Sequence, residues 1–250
     1  MVAKTALIMA VLFCICANSM DAAKPLPSVF KPCPKNDPTL NECAVANGNL
    51  AVPQLKMGIP SYGVPPLDPY FTGKKIDIEG KDMGVHFLVS DVNLHGLSNS
   101  EVKSISIKHD PTNFLLSVYI PVMQMSGKYE ATGKVLTMPI MGEGDFNMTL
   151  YGVDVQYEFS CDTVEKSDGE LYYAPTTNKV EYSAKNLNVQ FENLFNGNKL
   201  LGDEMNRFIN ENWRELNESV GPKIAESIVD SVKEIIIAIT RQVPVKDFWT

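Results

Sequence analysis

The middle of the chain, from about Ile76 to Phe191, alternates apolar and polar residues with a period of two. Such alternation is typical of β-strands with one buried face and one solvated face. The apolar positions fall into these rows: Val85, Phe87 and Val89; Ile105 and Ile107; Phe114, Leu116, Val118, Ile120 and Val122; Phe146, Met148 and Leu150; Val153, Val155, Tyr157 and Phe159; Val180, Tyr182 and Ala184; Leu187, Val189 and Phe191. The pattern predicts a meander of long antiparallel strands with one apolar face.

The alternation changes phase twice, near Gly152 and between Ala184 and Leu187. We interpret both changes as β-bulges, which bend a sheet. Three sequences rich in glycine, proline or aspartate are interpreted as turns between strands: Asp110-Pro111, Gly142-Glu143-Gly144 and Asp168-Gly169.

The last fifth of the chain changes to a period of 3.6, which predicts amphipathic helix. The apolar stripe comprises Leu201, Met205, Phe208, Ile209, Trp213 and Leu216, followed by Ile224, Ile228, Val232, Ile235, Ile236 and Ile239. Gly221-Pro222 lies between the two halves, so Pro222 either opens a second helix in its first turn or kinks one continuous helix. Some 40 helical residues would span about 60 Å.

A long apolar stripe and a long apolar sheet face must each be buried against another element. Both requirements are met if the sheet wraps around the helix. We therefore predict an α+β fold, in which a strongly curved antiparallel sheet wraps a long C-terminal helix. Such a sheet does not easily pack densely along the whole helix, so we also expect an elongated apolar cavity between them.

Residues 24–70 form a proline- and glycine-rich lead-in that is incompatible with one long helix or a central strand. One short helix is predicted near Glu42–Leu55, although Asn47, Gly48 and Asn49 weaken it. We expect the lead-in, the sheet and the helix to form one domain over residues 24–250.

The N-terminus has the features of a secretory signal peptide. Lys4 precedes an apolar run from Ala6 to Ala17, and small residues follow, which predicts a signal over residues 1–23 with cleavage near residues 19–23. The alternative is a membrane anchor, but the run is shorter than the about 20 apolar residues that a spanning helix needs. We therefore predict a secreted, extracellular protein without stable membrane insertion.

Removal of that signal leaves Cys33, Cys43 and Cys161, and an oxidising compartment favours pairing two of them. A bridge between Cys33 and Cys43 could close a short loop, which would leave Cys161 either as a buried free thiol or paired with a second molecule. Asn147 and Asn217 each begin a glycosylation sequon and are candidate sites.

The charged residues and motifs offer little catalytic chemistry. A formal net charge of −8 disfavours binding to nucleic acid or to anionic membranes. His86 and His95 are nine residues apart and point to opposite faces of an unbroken strand, which argues against a shared metal site. The chain lacks a Gly-x-Ser-x-Gly elbow. We predict no catalytic residue, metal or cofactor.

The residues expected to line a cavity come from the apolar rows. Flexible methionine side chains suit a pocket that adapts to an apolar guest, although they also serve as plain core filler. The candidate ligand-binding residues are Phe87, Phe114, Leu116, Val118, Met123, Met138, Met148, Phe208 and Trp213. The predicted function is transport of a small hydrophobic ligand by a monomer. A structural or signalling partner protein with a fully packed core is the main alternative, and a secreted hydrolase is a third.

Three sets of motifs, in the order found here, resemble those of the insect takeout and juvenile-hormone-binding family. The first set is Phe30–Cys33 with Asp37-Pro38 and Asn41–Cys43; the second is Gly58–Pro60 with Gly63–Pro69; the third is Phe208–Trp213 with Pro222, Val243-Pro244 and Asp247. With the β-rich centre, the resemblance extends over essentially the whole mature chain.

This resemblance implies a long helix wrapped by a curved antiparallel sheet, with an internal tunnel for a juvenile-hormone-like terpenoid or another lipid. It implies a carrier linked to circadian, feeding, courtship or chemosensory physiology, and a disulfide between Cys33 and Cys43. Moth haemolymph hormone carriers have a second disulfide, for which Cys161 lacks a partner here. The chain is therefore more similar to the takeout branch.

Overall fold

The computed structural model describes residues 23–80, 84–110 and 112–250. Residues 1–22 of the predicted signal peptide and Pro111 of one predicted turn lie outside the described residues. The helices are α1 (Leu40–Ala51), α2 (Lys199–Glu211) and α3 (Trp213–Thr240), and the strands are β1 (Tyr70–Thr72), β2 (Ile76–Gly80), β3 (Val85–His95), β4 (Glu101–His109), β5 (Thr112–Val135), β6 (Met138–Glu165) and β7 (Leu171–Phe191). Short 3-10 turns occupy Val52–Met57, Pro60–Tyr62, Leu97–Asn99, Phe195–Gly197 and Val245–Phe248.

The strands form one antiparallel sheet in the order β1-β3-β5-β6-β7, with β2 also paired to β3 and β4 also paired to β5. β5 and β6 keep one register from the Asn113–Ser160 pair to the Val135–Met138 pair. The predicted meander of long antiparallel strands is confirmed. The path runs from β1 to β7 without closing into a barrel.

The predicted turn at Gly142–Gly144 is wrong, because these residues lie inside β6 and pair with Tyr129–Ala131 of β5. The hairpin turn is Leu136-Thr137 instead. The two glycines have a packing reason: a Cβ atom on Gly144 would lie 2.6 Å from the Glu192 carbonyl oxygen. Glycine at this point lets the segment after β7 cross close to β6.

The inward-facing positions change phase along one line that crosses three strands. In β5 the inward-facing residues are even-numbered as far as Ile120 and odd-numbered from Met123 onward. In β6 the same change occurs between Leu150 and Val153. In β7 the inward-facing residues are even-numbered as far as Ala184 and odd-numbered from Leu187 onward. The two predicted phase changes are present, but the pairing register does not shift there, so they are not bulges. Val122, predicted to face inward, is 40% exposed because β5 changes phase as well.

Register shifts occur at other points of the sheet. They lie between Ser90 and Asn93, between Val102 and Ser104, and between Phe159 and Cys161. Each shift adds local twist, because the two strands contribute unequal numbers of residues across it.

The C-terminal helical region is interrupted at Asn212, where α2 ends and α3 begins. Pro222 lies inside α3, so the second helix does not begin there, whereas a kink of the continuous helix at Pro222 stays a prediction. α3 contacts both β7 and β2, which lie at opposite edges of the sheet. The sheet therefore wraps the helix, and the predicted α+β fold class is confirmed.

Asparagine side chains on α2 bond the edge of β7. Asn206 accepts a hydrogen bond from the Phe191 N–H at 2.8 Å and donates to its carbonyl at 2.9 Å. Asn210 makes the same pair of bonds with Val189, at 2.8 and 2.7 Å. The distance between the two asparagines along the helix matches the distance between their two partners along the strand, since four helical residues rise about 6 Å and two strand residues about 6.6 Å. The helix thus occupies the position of a further strand at this edge.

α1 bonds the edge of β4 in a similar way. Asn49 accepts from the Val102 N–H at 2.8 Å and donates to its carbonyl at 2.9 Å, and Asn41 accepts from the Ile107 N–H at 3.1 Å. The helix ends at Ala51, before the predicted Leu55, and continues as the 3-10 turn that contains Pro53. Asn49, which weakens this helix locally, therefore helps to attach it to the sheet.

The C-terminal end of the chain lies beside the disulfide. Cys33 and Cys43 are bonded, as the resemblance implied. Cys33 forms an isolated parallel bridge with Trp249, and the Thr250 N–H donates to the Cys33 carbonyl at 3.0 Å. Cys161 is a free, buried thiol. The disulfide loop therefore holds the C-terminal segment in place.

Candidate ligand-binding site

The interior has two parts that differ in burial. We call the boundary between them the phase line, because it is where the inward-facing positions of β5, β6 and β7 change phase. The first, which we call the packed core, lies among β1, β2, β3, residues 120–135 of β5, residues 138–153 of β6, residues 187–191 of β7, and α2. Phe191 lies at its centre, with ring centroids 4.7 Å from Tyr129 and 5.7 Å from Phe87. The Tyr129 hydroxyl donates to the Glu192 carbonyl at 2.6 Å. Large side chains such as Tyr129 and Met205 are fully buried in this part, with 2% and 1% of their surfaces exposed.

The second part lies beyond the phase line, on the inward side of β5, β6 and β7. We call it the half-buried apolar face. Strand register places Leu116, Tyr157 and Val180 side by side, and Val118, Val155 and Tyr182 in the next row. The remaining members are Phe114, Phe159 and Ala184. Of these nine side chains, only Tyr157 is fully buried.

Residual exposure on this face is informative because the opposite face of the same strands carries the charged residues. Glu158, Lys179 and Glu181 are exposed and alternate with members of the half-buried apolar face. Phe114, Leu116 and Val180 lie on the opposite face of these strands, yet they are only half-buried. α3 shows the same property along its apolar stripe, where the half-buried residues are Trp213, Leu216, Val220, Ile224, Ile228 and Ile235.

Two tyrosine hydroxyls interrupt the apolar surface. The Tyr182 hydroxyl donates to Asn217 Oδ1 on α3 at 2.7 Å. The Tyr157 hydroxyl is buried and makes no hydrogen bond within the part of the chain that the structure describes. The side chain of Asn178 lies near it, outside hydrogen-bonding geometry. Burial raises the pKa of both tyrosines, so both are neutral donors at physiological pH.

Aromatic side chains close one end of the half-buried apolar face. Phe114 stacks on Phe159 at 4.7 Å and meets the edge of Tyr173 at 6.2 Å. Phe248 packs on Tyr173 at 5.7 Å, and Trp249 donates a hydrogen bond to the Tyr173 hydroxyl at 3.0 Å. The C-terminal segment therefore covers this end of the interior.

Cys161 lies in the same region but offers little reactivity. Burial raises the pKa of its thiol to about 11, with a smaller contribution from the nearby carboxylate of Asp162. Because the thiolate is the reactive form, a neutral buried thiol is a poor nucleophile.

The nine candidate ligand-binding residues fall into two groups. Phe114, Leu116 and Val118 belong to the half-buried apolar face, and Trp213 belongs to the stripe of α3 that is similarly half-buried. Of the other five, Met123 is buried in the packed core, and the half-buried residues Phe87, Met138, Met148 and Phe208 pack against it, as Val118 and Trp213 also do. Whether any of the nine contacts a ligand stays a prediction.

Sequence reasoning did not select Val155, Tyr157, Val180 or Tyr182 as site residues. Their alternation was visible in the sequence, but their position beside Leu116 and Val118 depends on strand register.

The two candidate glycosylation sites differ in exposure. Asn147 is exposed on β6, whereas Asn217 is half-buried and its side chain is hydrogen-bonded to Tyr182. No helix in the described part of the chain has the length and hydropathy needed to cross a membrane.

Comparison with known families and proteins agrees with this architecture. Residues 8–250 match the model of the family described as haemolymph juvenile hormone binding protein. The chain belongs to this juvenile hormone binding protein family. The sequence resemblance to the insect takeout and juvenile-hormone-binding proteins is thereby confirmed.

Relatives within this family match along nearly their whole length. The chain is 30% identical over 238 residues to the circadian clock-controlled protein daywake of Drosophila melanogaster, covering 92% of this chain and 90% of the relative. It is 28% identical over 241 residues to daywake of Drosophila yakuba, covering 93% and 92%. The crystal structure of Epiphyas postvittana Takeout 1 shares the fold, with a TM-score of 0.81 and 23% identity over 88% of this chain and 100% of that chain.

Proposed function

We propose that the protein is a secreted carrier that binds one elongated apolar molecule between the half-buried apolar face and α3. The observation that carries this proposal is incomplete coverage of apolar side chains on both facing elements, beside a core in which many large side chains are fully buried. Apolar surface that folding leaves partly uncovered gains free energy when a ligand covers it. Membership of a binding-protein family supports this role over catalysis.

Burial of apolar surface would supply most of the affinity. A ligand that removes about 300 Å² of apolar surface from water gains about 7–8 kcal/mol before the costs of ordering it. Micromolar affinity corresponds to about 8 kcal/mol. Because ordering costs reduce this gain, a longer hydrocarbon or terpenoid body, which buries more apolar area, should bind more tightly.

Tyr157 would orient the ligand. A buried hydroxyl without a partner costs about 1–3 kcal/mol, and a ligand oxygen placed near it removes that cost. We therefore propose that the preferred ligand carries a carbonyl, ester or ether oxygen at one end. Tyr182 contributes less to this selectivity, since its hydroxyl already bonds to Asn217.

Two matched substitutions test the location of the site. Ala184→Leu adds the same atoms to the half-buried apolar face that Ala131→Leu adds to the packed core, where Ala131 is 1% exposed. Ala184→Leu should weaken binding of a fluorescent apolar probe while changing the free energy of unfolding by less than about 1 kcal/mol. Ala131→Leu should destabilise the protein by about 1–3 kcal/mol, because a packed core does not accept extra volume.

Equal destabilisation by both substitutions would mean that the interior is filled throughout, and the carrier proposal would fail in favour of a packed partner protein. Identification of the ligand requires native mass spectrometry of protein purified from its natural source. A co-purifying mass with an apolar chain and an oxygen-bearing end is expected.

We also propose an extracellular location and a role in clock-linked physiology. The disulfide between Cys33 and Cys43 supports an oxidising compartment. The Drosophila relatives are named as circadian clock-controlled proteins, which supports the second proposal. Measurement of the protein in cell-free fluid at intervals through a day tests both.

A further inference from the structure

The two sides of the helical region are attached to the sheet by different kinds of contact. On the β7 side, Asn206 and Asn210 each make two hydrogen bonds to the strand backbone, and Asn217 accepts a fifth from Tyr182. Asn206 is buried, with 5% of its surface exposed. Separation on this side would leave several polar groups without partners, so it is costly.

The opposite side is held more weakly. Between α3 and the segment 70–80, which contains β1 and β2, the Lys74–Glu234 ion pair at 2.7 Å is the one polar contact among the residues that the structure describes. Its two side chains are 49% and 62% exposed, so water and salt screen their attraction. The other contacts between α3 and segment 70–80 are apolar and non-directional, and they reform after opening. Just after α3, the buried Gln242 side chain donates to the Tyr62 carbonyl at 2.9 Å and keeps the C-terminal end of the helix in place.

A cleft of about 280 Å³ lies beside this ion pair. Tyr70 of β1 and Ser231, Glu234 and Ile235 of α3 line it, together with Gly63 and Pro65. Tyr70 and Ser231 are both buried, with 8% and 2% of their surfaces exposed, so the cleft reaches into the protein. Ile228 lies about two turns before Ile235 on the same helix and belongs to the half-buried stripe.

The cleft also lies where two apolar clusters meet. Ile235 packs against the packed core and against a smaller cluster formed by Tyr62, Val64, Ala238, Ile239 and Val243. Tyr70 belongs to the packed core. A boundary between clusters opens with less loss of packing than the interior of either one, because fewer contacts cross it.

We propose that this cleft is the portal through which the apolar ligand enters and leaves, and that the Lys74–Glu234 ion pair is its latch. The inference rests on the proposed carrier function. Opening would move the Ser231–Ile235 part of α3 away from β1 and the Gly63–Pro65 turn, while the asparagine bonds keep α2 on β7. Pro222, which lacks an N–H group, leaves α3 one hydrogen bond short within the helix and favours bending there.

The test is stopped-flow exchange of N-phenyl-1-naphthylamine, a fluorescent apolar probe, on the full mature chain. Lys74→Met and Glu234→Gln should each raise the association and dissociation rate constants by about two- to fivefold, with Kd changed less than about twofold. Salt should accelerate exchange in the wild type and have little effect in Lys74→Met. The matched control is Lys179→Met, which removes another exposed ion pair of the same length, with Glu181 on β7, and should leave both rates unchanged.

Filling the cleft should have the opposite effect. Ile235→Trp should slow both association and dissociation, whereas Val232→Trp on the exposed side of the same helix should not. Urea unfolding of each variant verifies that it is folded.

Probe binding with rates that neither the latch variants nor salt alters would overturn the portal and leave the carrier function standing. Absence of probe binding and of any co-purifying lipid in the wild type would overturn the carrier function, and the portal with it.

Discussion

Gly221 offers a sharp test of how the sheet meets the helix, because its missing side chain makes room for Tyr182. A Cβ atom on Gly221 would lie 1.9 Å from the Tyr182 hydroxyl oxygen and 2.8 Å from Asn217 Oδ1. Gly221→Ala must therefore displace the tyrosine and break its hydrogen bond to Asn217. The same substitution at Gly202 in α2 meets Leu194 Cβ at an ordinary 3.6 Å.

The expected magnitudes separate the two glycines. Alanine is favoured over glycine inside a helix by about 1 kcal/mol, so Gly202→Ala should raise the free energy of unfolding by up to about that amount. Gly221→Ala has the same helical gain, but it loses a hydrogen bond of about 1 kcal/mol and adds about 1–3 kcal/mol of packing strain. The net expectation is a loss of about 1–3 kcal/mol.

Urea denaturation of a double-mutant cycle isolates the contact. In a Tyr182→Phe background the hydroxyl is absent, and Gly221→Ala should cost at least about 1 kcal/mol less than it costs in the wild type. If Gly221→Ala instead stabilises the protein as Gly202→Ala does, Tyr182 is not held against α3, and the reasoning about the half-buried apolar face fails.

Three further predictions concern other buried polar groups. Asn206→Leu should lower the free energy of unfolding by about 2–4 kcal/mol in urea melts, since the backbone N–H and carbonyl of Phe191 both lose their partner; a loss below 0.5 kcal/mol would contradict the role of this edge. Cys161 should react with iodoacetamide at pH 8 at least tenfold more slowly than in urea, because the thiolate fraction grows only as pH approaches the raised pKa of about 11; equal rates would show that the thiol is accessible. Tyr157→Phe should leave the stability of the ligand-free protein unchanged or raise it by up to about 1 kcal/mol, yet weaken binding of an oxygen-bearing ligand relative to a hydrocarbon of equal length, as measured by calorimetry.

Local periodicity was sufficient to predict the strands, the helical region and the wrapped arrangement, because these follow from where apolar residues recur. The positions of individual turns and helix interruptions were less predictable. Pro222 is the strongest local helix breaker in the region, yet the helix is interrupted at Asn212. A glycine-rich turn at Gly142–Gly144 was equally reasonable locally, but those glycines serve a contact with residues 192–194 that are some 50 positions away in sequence.

The candidate site was only partly predictable for a related physical reason. Phe114, Leu116 and Val118 were selected from an apolar row, and the structure places them on the half-buried apolar face. Met123 comes from the next part of the same strand but packs in the core. Composition made methionine attractive as a pocket residue, whereas burial depends on what lies across from each strand, which one strand's sequence does not contain.

The coordinated phase change at Ile120–Met123, Leu150–Val153 and Ala184–Leu187 constrains how this chain tolerates changes in length. Deleting Gly152 alone would reverse which face each residue of one half of β6 occupies. Its apolar side chains would become exposed, and Asp154 and Glu158 would become buried. The neighbouring strands would keep their original orientation and could no longer match it. Insertions and deletions at this line should therefore survive in homologues only when all three strands change together, whereas the hairpin tips remain free to vary.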